Sequence, residues 1–157
     1  MQPDSGNGTQ QNKALAQAVK LLARREHSRM ELALKLRKRG YTEQEVGAAL
    51  DECQAQRWLD ESRFAEIYSR QRMEGLYGPV RIMAELQQRG VEIEPETLSA
   101  TPDHEWRRRA TRARERKFGL GDRLPWAERG KQGRFLSQRG YTMGQIEFAL
   151  DQVRLPD

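Results

Sequence analysis

Residues that usually carry chemistry are thinly spread in this chain of 157 residues. Its two histidines, His27 and His104, stand far apart. Neither has cysteine or carboxylate neighbours at the spacing a metal site needs, so both are expected to be solvated or helix-capping. Cys53 is the one cysteine, which rules out an internal disulfide. It falls on an apolar helical stripe and is expected to pack in a core. Asp60 and Glu61 form an adjacent carboxylate pair at the start of a helical pattern, where capping explains them better than acid–base work. Gly119-Leu120-Gly121 has no strand before it and matches no phosphate-binding loop. No hydrolase signature is present either. The expectation is a protein that binds, with no catalytic residues, no metal and no cofactor.

Basic residues are a different matter. The chain has 28 Lys and Arg against 23 Asp and Glu, for a net charge of +5. Residues 106–117 read WRRRATRARERK, with six arginines and one lysine against one glutamate. A second basic stretch is Lys35, Arg37, Lys38 and Arg39; a third is Arg70, Arg72 and Arg81 around Tyr77-Gly78-Pro79. Such a run is either a solvated helix whose arginine stems cover apolar surface or a cationic surface for phosphates or acidic side chains. For the second reading the candidate binding residues are Arg63, Arg70, Arg72, Arg81, Arg107, Arg108, Arg109, Arg112, Arg114 and Arg116. Tyr77, beside a glycine turn, is the aromatic residue expected to be exposed and able to stack a base. Phe64 and Tyr68 fall at helical spacing and belong in a core.

The elements that hold these residues are legible from an internal repeat. Residues 36–51, LRKRGYTEQEVGAALD, superpose on residues 136–151, LSQRGYTMGQIEFALD, at an offset of 100. Leu36, Arg39, Gly40, Tyr41, Thr42, Ala49, Leu50 and Asp51 are identical to their counterparts. Midway lies Leu86-Gln87-Gln88-Arg89-Gly90-Val91, which makes three copies. In each outer copy the glycine can end a helix in the left-handed conformation. The threonine caps the next helix, and Glu45 or Gln145 completes a capping box. Val46, Ala49, Leu50 and Cys53 then line one face of that helix, as do Ile146, Ala149, Leu150 and Val153. The helix before the glycine carries Met30, Ala33, Leu34 and Leu36 in copy one. In copy two it opens at Pro79 and carries Ile82, Met83 and Leu86; in copy three it carries Phe135 and Leu136. A first helix precedes each pair, marked by Leu15, Ala18, Val19 and Leu22, then by Phe64, Ile67 and Tyr68 behind an Asp60 cap, then by Trp106, Ala110 and Ala113.

The fold expected is all-α: three tandem three-helix units, similar to helix-turn-helix modules, in an elongated, curved row. With 36% hydrophobic and 32% charged residues, a row of thin units suits the composition better than one thick core. The boundaries are a disordered polar leader at residues 1–12 and repeats at 13–57, 58–102 and 103–157. The third helix of copy two, near Pro95, is expected to be short. No apolar run spans a membrane and no signal-peptide core is present, so a cytoplasmic monomer is expected.

The middle copy carries a resemblance. Trp58-Leu59-Asp60-Glu61-Ser62-Arg63-Phe64-Ala65 is followed by Tyr68, Arg70 and Arg72, then by Tyr77-Gly78-Pro79-Val80-Arg81-Ile82, Glu85-Leu86 and Arg89-Gly90. In order and spacing this resembles the bacterial RecX regulatory family, over about residues 14–153. The resemblance implies three three-helix units, as found independently above. It also implies a regulator of DNA repair and the SOS response, which binds the RecA recombinase filament on single-stranded DNA. There it would suppress ATPase, strand exchange and filament growth, with no catalytic residues. Gln132 and Gly133 depart from the family pattern, which has larger or apolar residues there. The alternative is a sequence-independent DNA-binding helical module with weak affinity for phosphates. Sequence-specific readout is not expected, because the helix after Thr42, EQEVGAALDE, is acidic and lacks base-reading side chains.

Overall fold

The computed structural model describes residues 5–154, and among these the chain is helical throughout, without strands. The helices are α1 (Ser5–Arg24), α2 (Arg29–Lys38), α3 (Glu43–Ala55), α4 (Glu61–Glu74), α5 (Pro79–Gln88), α6 (Glu96–Ser99), α7 (Asp103–Phe118), α8 (Trp126–Arg139) and α9 (Met143–Asp151). They follow the repeat, three to a copy. The helix ends are set by the residues the repeat conserves. Thr42 accepts from the Glu45 N–H at 3.2 Å, and Glu45 accepts from the Thr42 N–H at 2.8 Å. Thr142 and Gln145 repeat the box at 3.3 and 2.9 Å. Ser28 and Glu31 form a further box ahead of α2. Asp60 caps α4 by accepting from the Arg63 N–H at 3.0 Å. The glycines that end the second helix of each copy are all left-handed, with φ of +90° at Gly40, +81° at Gly90 and +98° at Gly140.

The chain divides into two compact units. One runs through Ile67 and takes in Gln87–Ile93; the other holds Tyr68–Leu86 and the chain from Glu94 onward. In the first, α1 packs chiefly on α3 and α2 closes the triangle. Its core is Ala14, Ala18, Leu21, Leu32, Ala33, Leu36, Val46, Ala49, Leu50, Cys53 and Leu59. Cys53 is buried as expected, and burial pushes its thiol pKa up. The buried face of α2 differs from the expected one: Leu32 is inside, while Met30 and Leu34 are 44% and 49% exposed. His27, expected to be solvated or capping, is 1% exposed. Its Nδ1 lies 2.9 Å from the Arg25 carbonyl and its Nε2 2.8 Å from Lys35 Nζ. A lysine ammonium only donates, so Nε2 accepts and Nδ1 carries the proton.

Residues 1–12 also differ from the expectation. α1 begins at Ser5, so residues 5–12 are helical; residues 1–4 of the expected leader lie outside the described residues. Polar composition denies a segment burial, but it does not stop a helix already anchored by Ala14, Ala18 and Leu21 from propagating backwards.

In the second unit α7 packs on α9, and α8 packs on both. Trp106, Ala110 and Ala113 of α7 meet a core that includes Leu136, Ile146, Ala149 and Leu150. Phe118 and Phe135 add an edge-to-face ring pair at 5.3 Å. α6 has only four residues and buries Leu98. Of the two departures noted at 132 and 133, the first has a local cause. Gln132 is 4% exposed and serves a buried arginine. At Gly133 a Cβ would make only ordinary contact, 3.5 Å from Leu150, and nothing in the structure explains the glycine.

Candidate partner-binding surface

Folding divides the candidate cations into those tied into the structure and those left at the surface. Arg63, in the first unit, is tied down. Its Nε donates to Glu26 at 2.6 Å, and its terminal nitrogens donate to the carbonyls of Arg57 and Trp58, each at 3.1 Å. It straps the α3–α4 connection to the end of α1, and the Glu26 hydrogen bond raises its pKa.

In the second unit a polar cluster surrounds Tyr77. Glu85 accepts from the Tyr68 hydroxyl at 2.7 Å and from Arg72 at 2.9 and 3.1 Å, with Arg81 3.5 Å away. Burial works to raise the Glu85 pKa, but the Tyr68 and Arg72 hydrogen bonds outweigh it and leave the carboxyl below its ordinary value. The guanidinium carbons of Arg72 and Arg139 lie 3.7 and 3.9 Å from the Tyr77 ring centroid, with Arg81 at 4.6 Å. Two guanidiniums so close to one centroid cannot sit side by side on one face, so both faces of Tyr77 are covered. Its expected role as an exposed stacking platform is therefore corrected: the ring is a spacer between arginines. Arg81 also donates to the Gln138 carbonyl at 2.9 Å. Arg139, which the sequence reading did not single out as a binding residue, completes the cluster by donating to the Gly75 carbonyl.

The arginine run on α7 divides in the same way. Arg114 is fully buried. It donates to Gln132 at 2.7 Å and to the carbonyls of Ala149 and Gln152 at 2.9 and 2.7 Å, so it is a structural pin for α8 and the end of α9. The expectation that it is a binding residue is therefore corrected; the arginine run hides its burial because its neighbours are alike in sequence. Burial pulls its pKa down. Arg109 donates to the Met73 carbonyl at 3.0 Å and pairs with Glu105 at 3.2 Å. Arg107 pairs with Asp103 at 2.7 Å, beside the ring of Phe148. Arg108 pairs with Glu105 at 2.8 Å, yet its side chain is 70% exposed. Arg112 and Arg116 are exposed, and among the described residues neither has an acidic partner. One turn apart on α7, they flank a shallow cleft of about 340 Å³ with Leu76 and Glu115. Arg70 on α4 is likewise exposed.

Sequence reasoning did not single out Trp126. It opens α8 behind Pro125, is 90% exposed and stands beside Arg129 and Arg134. Its position outside every apolar stripe was the available signal. Among the described residues no group of three or more His, Cys, Asp or Glu could hold a metal, and no helix is long and apolar enough to cross a membrane.

These features describe a protein of tandem three-helix modules whose exposed chemistry is cationic. Models of the first, second and third three-helix domains of RecX match residues 14–53, 60–94 and 105–150. The chain is 43% identical to the regulatory protein RecX of Halorhodospira halophila over 134 residues, 84% of this chain and 83% of that one. It is 42% identical to the regulatory protein RecX of Pseudomonas fluorescens, over 89% of this chain and 91% of that one. Its fold matches the crystal structure of RecX from Lactobacillus salivarius with a TM-score of 0.77 at 20% identity, covering 92% of this chain and 98% of that one. The chain belongs to the RecX family of regulatory proteins.

Proposed function

We propose that this protein binds the RecA recombinase filament on single-stranded DNA and inhibits its ATP hydrolysis, strand exchange and growth, acting in the cytoplasm as a monomer without catalysis of its own. The observation that carries this reading is that all three RecX domains are present in order, over most of the chain. The electrostatics support it. The filament offers phosphates and acidic side chains, and the protein presents Arg70, Arg108, Arg112 and Arg116 at its surface. Charges of this kind mainly set association rate and salt sensitivity, which suits a regulator that must reach a moving filament.

A sequence-reading DNA protein is disfavoured by α3. Its first turn carries Glu43 and Glu45, which would face phosphates at a groove edge. The test is RecA ATPase on poly(dT), with and without this protein, at low and raised salt. Inhibition that survives the salt at which the protein no longer binds labelled oligonucleotide supports a protein target. Inhibition that fades in step with DNA binding reduces the effect to competition for DNA.

A further inference from the structure

The tetrapeptide Arg-Gly-Tyr-Thr occurs twice, at 39–42 and at 139–142. Both copies hold the glycine left-handed and use the threonine as a helix cap. In the second copy four polar groups of the turn are engaged by one loop, the one that leads into α5. The Tyr141 hydroxyl donates to the Leu76 carbonyl at 2.7 Å, and the Arg139 guanidinium donates to the Gly75 carbonyl. In the other direction the Gly78 N–H donates to the Arg139 carbonyl at 2.7 Å and the Val80 N–H to the Gly140 carbonyl at 2.9 Å. The approach is so close that a Cβ on Gly78 would stand 2.5 Å from the Tyr141 nitrogen, so only glycine fits there.

In the first copy the same groups are unspent. No main-chain N–H reaches the carbonyls of Arg39 or Gly40 among the described residues, and nothing lies within 4 Å of a Cβ built on Gly40. Among the described residues the Arg39 side chain makes only a 3.5 Å hydrogen bond, to the Lys35 carbonyl of the preceding helix. The Tyr41 ring packs against the core of the first unit, but its hydroxyl has no protein partner among the described residues. Core packing explains the ring and would be met equally well by phenylalanine; it does not explain the hydroxyl.

We infer that the Arg39-Gly40-Tyr41 turn is a docking site for a glycine-bearing loop that enters a helix, supplied by the regulated recombinase; this rests on the function proposed above. Such a loop brings two carbonyls for Arg39 and Tyr41 and two N–H groups for the carbonyls of Arg39 and Gly40. A second copy of this chain does not fit. Its one matching loop is already seated on its own Gly140, and the stretch before α8 has Leu124 ahead of Pro125 where Gly78 precedes Pro79. A nucleic-acid backbone would suit Arg39, but its phosphates would repel the two carbonyls.

The test uses the full chain with Arg39→Ala and Tyr41→Phe combined, against RecA polymerised on poly(dT), with ATP hydrolysis as readout. Melting stays at the wild-type value, because neither change opens the core. The concentration giving half inhibition rises about tenfold or more, since each lost hydrogen bond weakens binding several-fold. If Arg39→Ala disturbs melting, Tyr41→Phe alone carries the test, with a rise of a few-fold. A folded variant that inhibits as well as wild type overturns the inference. So does a parallel loss of affinity for a labelled dT oligonucleotide, which would make nucleic acid the occupant. A concentration-dependent wild-type dimer in sedimentation that the variant abolishes would hand the turn to a second copy and also overturn it. Wild-type protein that leaves RecA uninhibited removes the proposed function, and the occupant assigned here with it.

Discussion

Arg112 and Arg114 are two residues apart on one helix and do opposite things. Arg112 is exposed, whereas Arg114 is sealed among Gln132 and two carbonyls. Replacing Arg114 by leucine removes three hydrogen bonds and leaves the Gln132 side-chain oxygen and the Gln152 carbonyl without that donor, so we expect a loss of about 3 kcal/mol in urea denaturation. Arg112→Glu should stay within about 0.5 kcal/mol of wild type, as surface changes usually do. His27 gives a second residue-level prediction. Burial lowers its pKa, the Arg25 carbonyl works against that, and the nearby Arg25 and Lys35 charges lower it further. The unfolded chain therefore takes up a proton near pH 6.5 while the folded chain does not, and stability falls as pH drops below that value. A urea midpoint that declines from pH 7.5 to 5.5 more steeply in wild type than in His27→Gln confirms the direction; equal slopes would assign the decline to other groups. Neither role was legible in the sequence. Burial of an arginine within a run of arginines, and of a histidine in a connecting turn, is decided by which helix packs on them.

At the scale of the element, the sequence was far more legible, because caps and turns are local. The two capping boxes, the left-handed glycines, the Pro79 helix start, the Asp60 cap and the shortness of α6 all follow from a few adjacent residues. What the local pattern could not supply was the phase of α2, where Leu32 faces inward and Leu34 outward, or the helix over residues 5–12. The same limit separates two glycines that look equivalent. Gly40 and Gly140 share a left-handed conformation, which costs a residue with a Cβ about 1 kcal/mol. Around Gly40 there is open space, but a Cβ on Gly140 would stand 2.6 Å from the Arg81 nitrogen. Gly40→Ala should therefore lower stability by about 1 kcal/mol, and Gly140→Ala by about 3 kcal/mol as overpacking against backbone is added. Denaturation midpoints of the two variants check this. Equal losses would mean that the α5 start yields freely.

Over the whole molecule, the sequence displays an excess of positive charge, and folding decides how much of it a partner meets. Carboxylates that the sequence scatters are brought onto specific arginines: Glu26 to Arg63, Glu85 to Arg72, Asp103 to Arg107 and Glu105 to Arg108 and Arg109. Main-chain carbonyls take up Arg81 and Arg114. Family membership was legible because the motif residues around the middle turn are the ones that build it. The binding surface was not, since the ten candidate arginines look alike in sequence and several are tied down by groups from distant parts of the chain, as Arg63 is by Glu26, Arg109 by Met73 and Arg114 by Gln132 and Ala149. The prediction that follows concerns the exposed remainder. Arg70→Glu, Arg112→Glu and Arg116→Glu together open no cavity and break no ion pair among the described residues, so melting should hold. If these charges steer the protein to its acidic target, reversing them replaces attraction with repulsion, and the concentration giving half inhibition of RecA should rise about tenfold or more at low salt. The gap should narrow as salt is added, because exposed charges are screened over about 10 Å at 0.1 M. Reversal of Arg107 and Arg109 is the contrasting case: it breaks the ion pairs to Asp103 and Glu105 and the hydrogen bond to the Met73 carbonyl, and should lower melting as well as inhibition. A triple variant that inhibits like wild type at low salt would take these three arginines out of the interaction and leave it to other surfaces, of which the Arg39-Gly40-Tyr41 turn is the one proposed above.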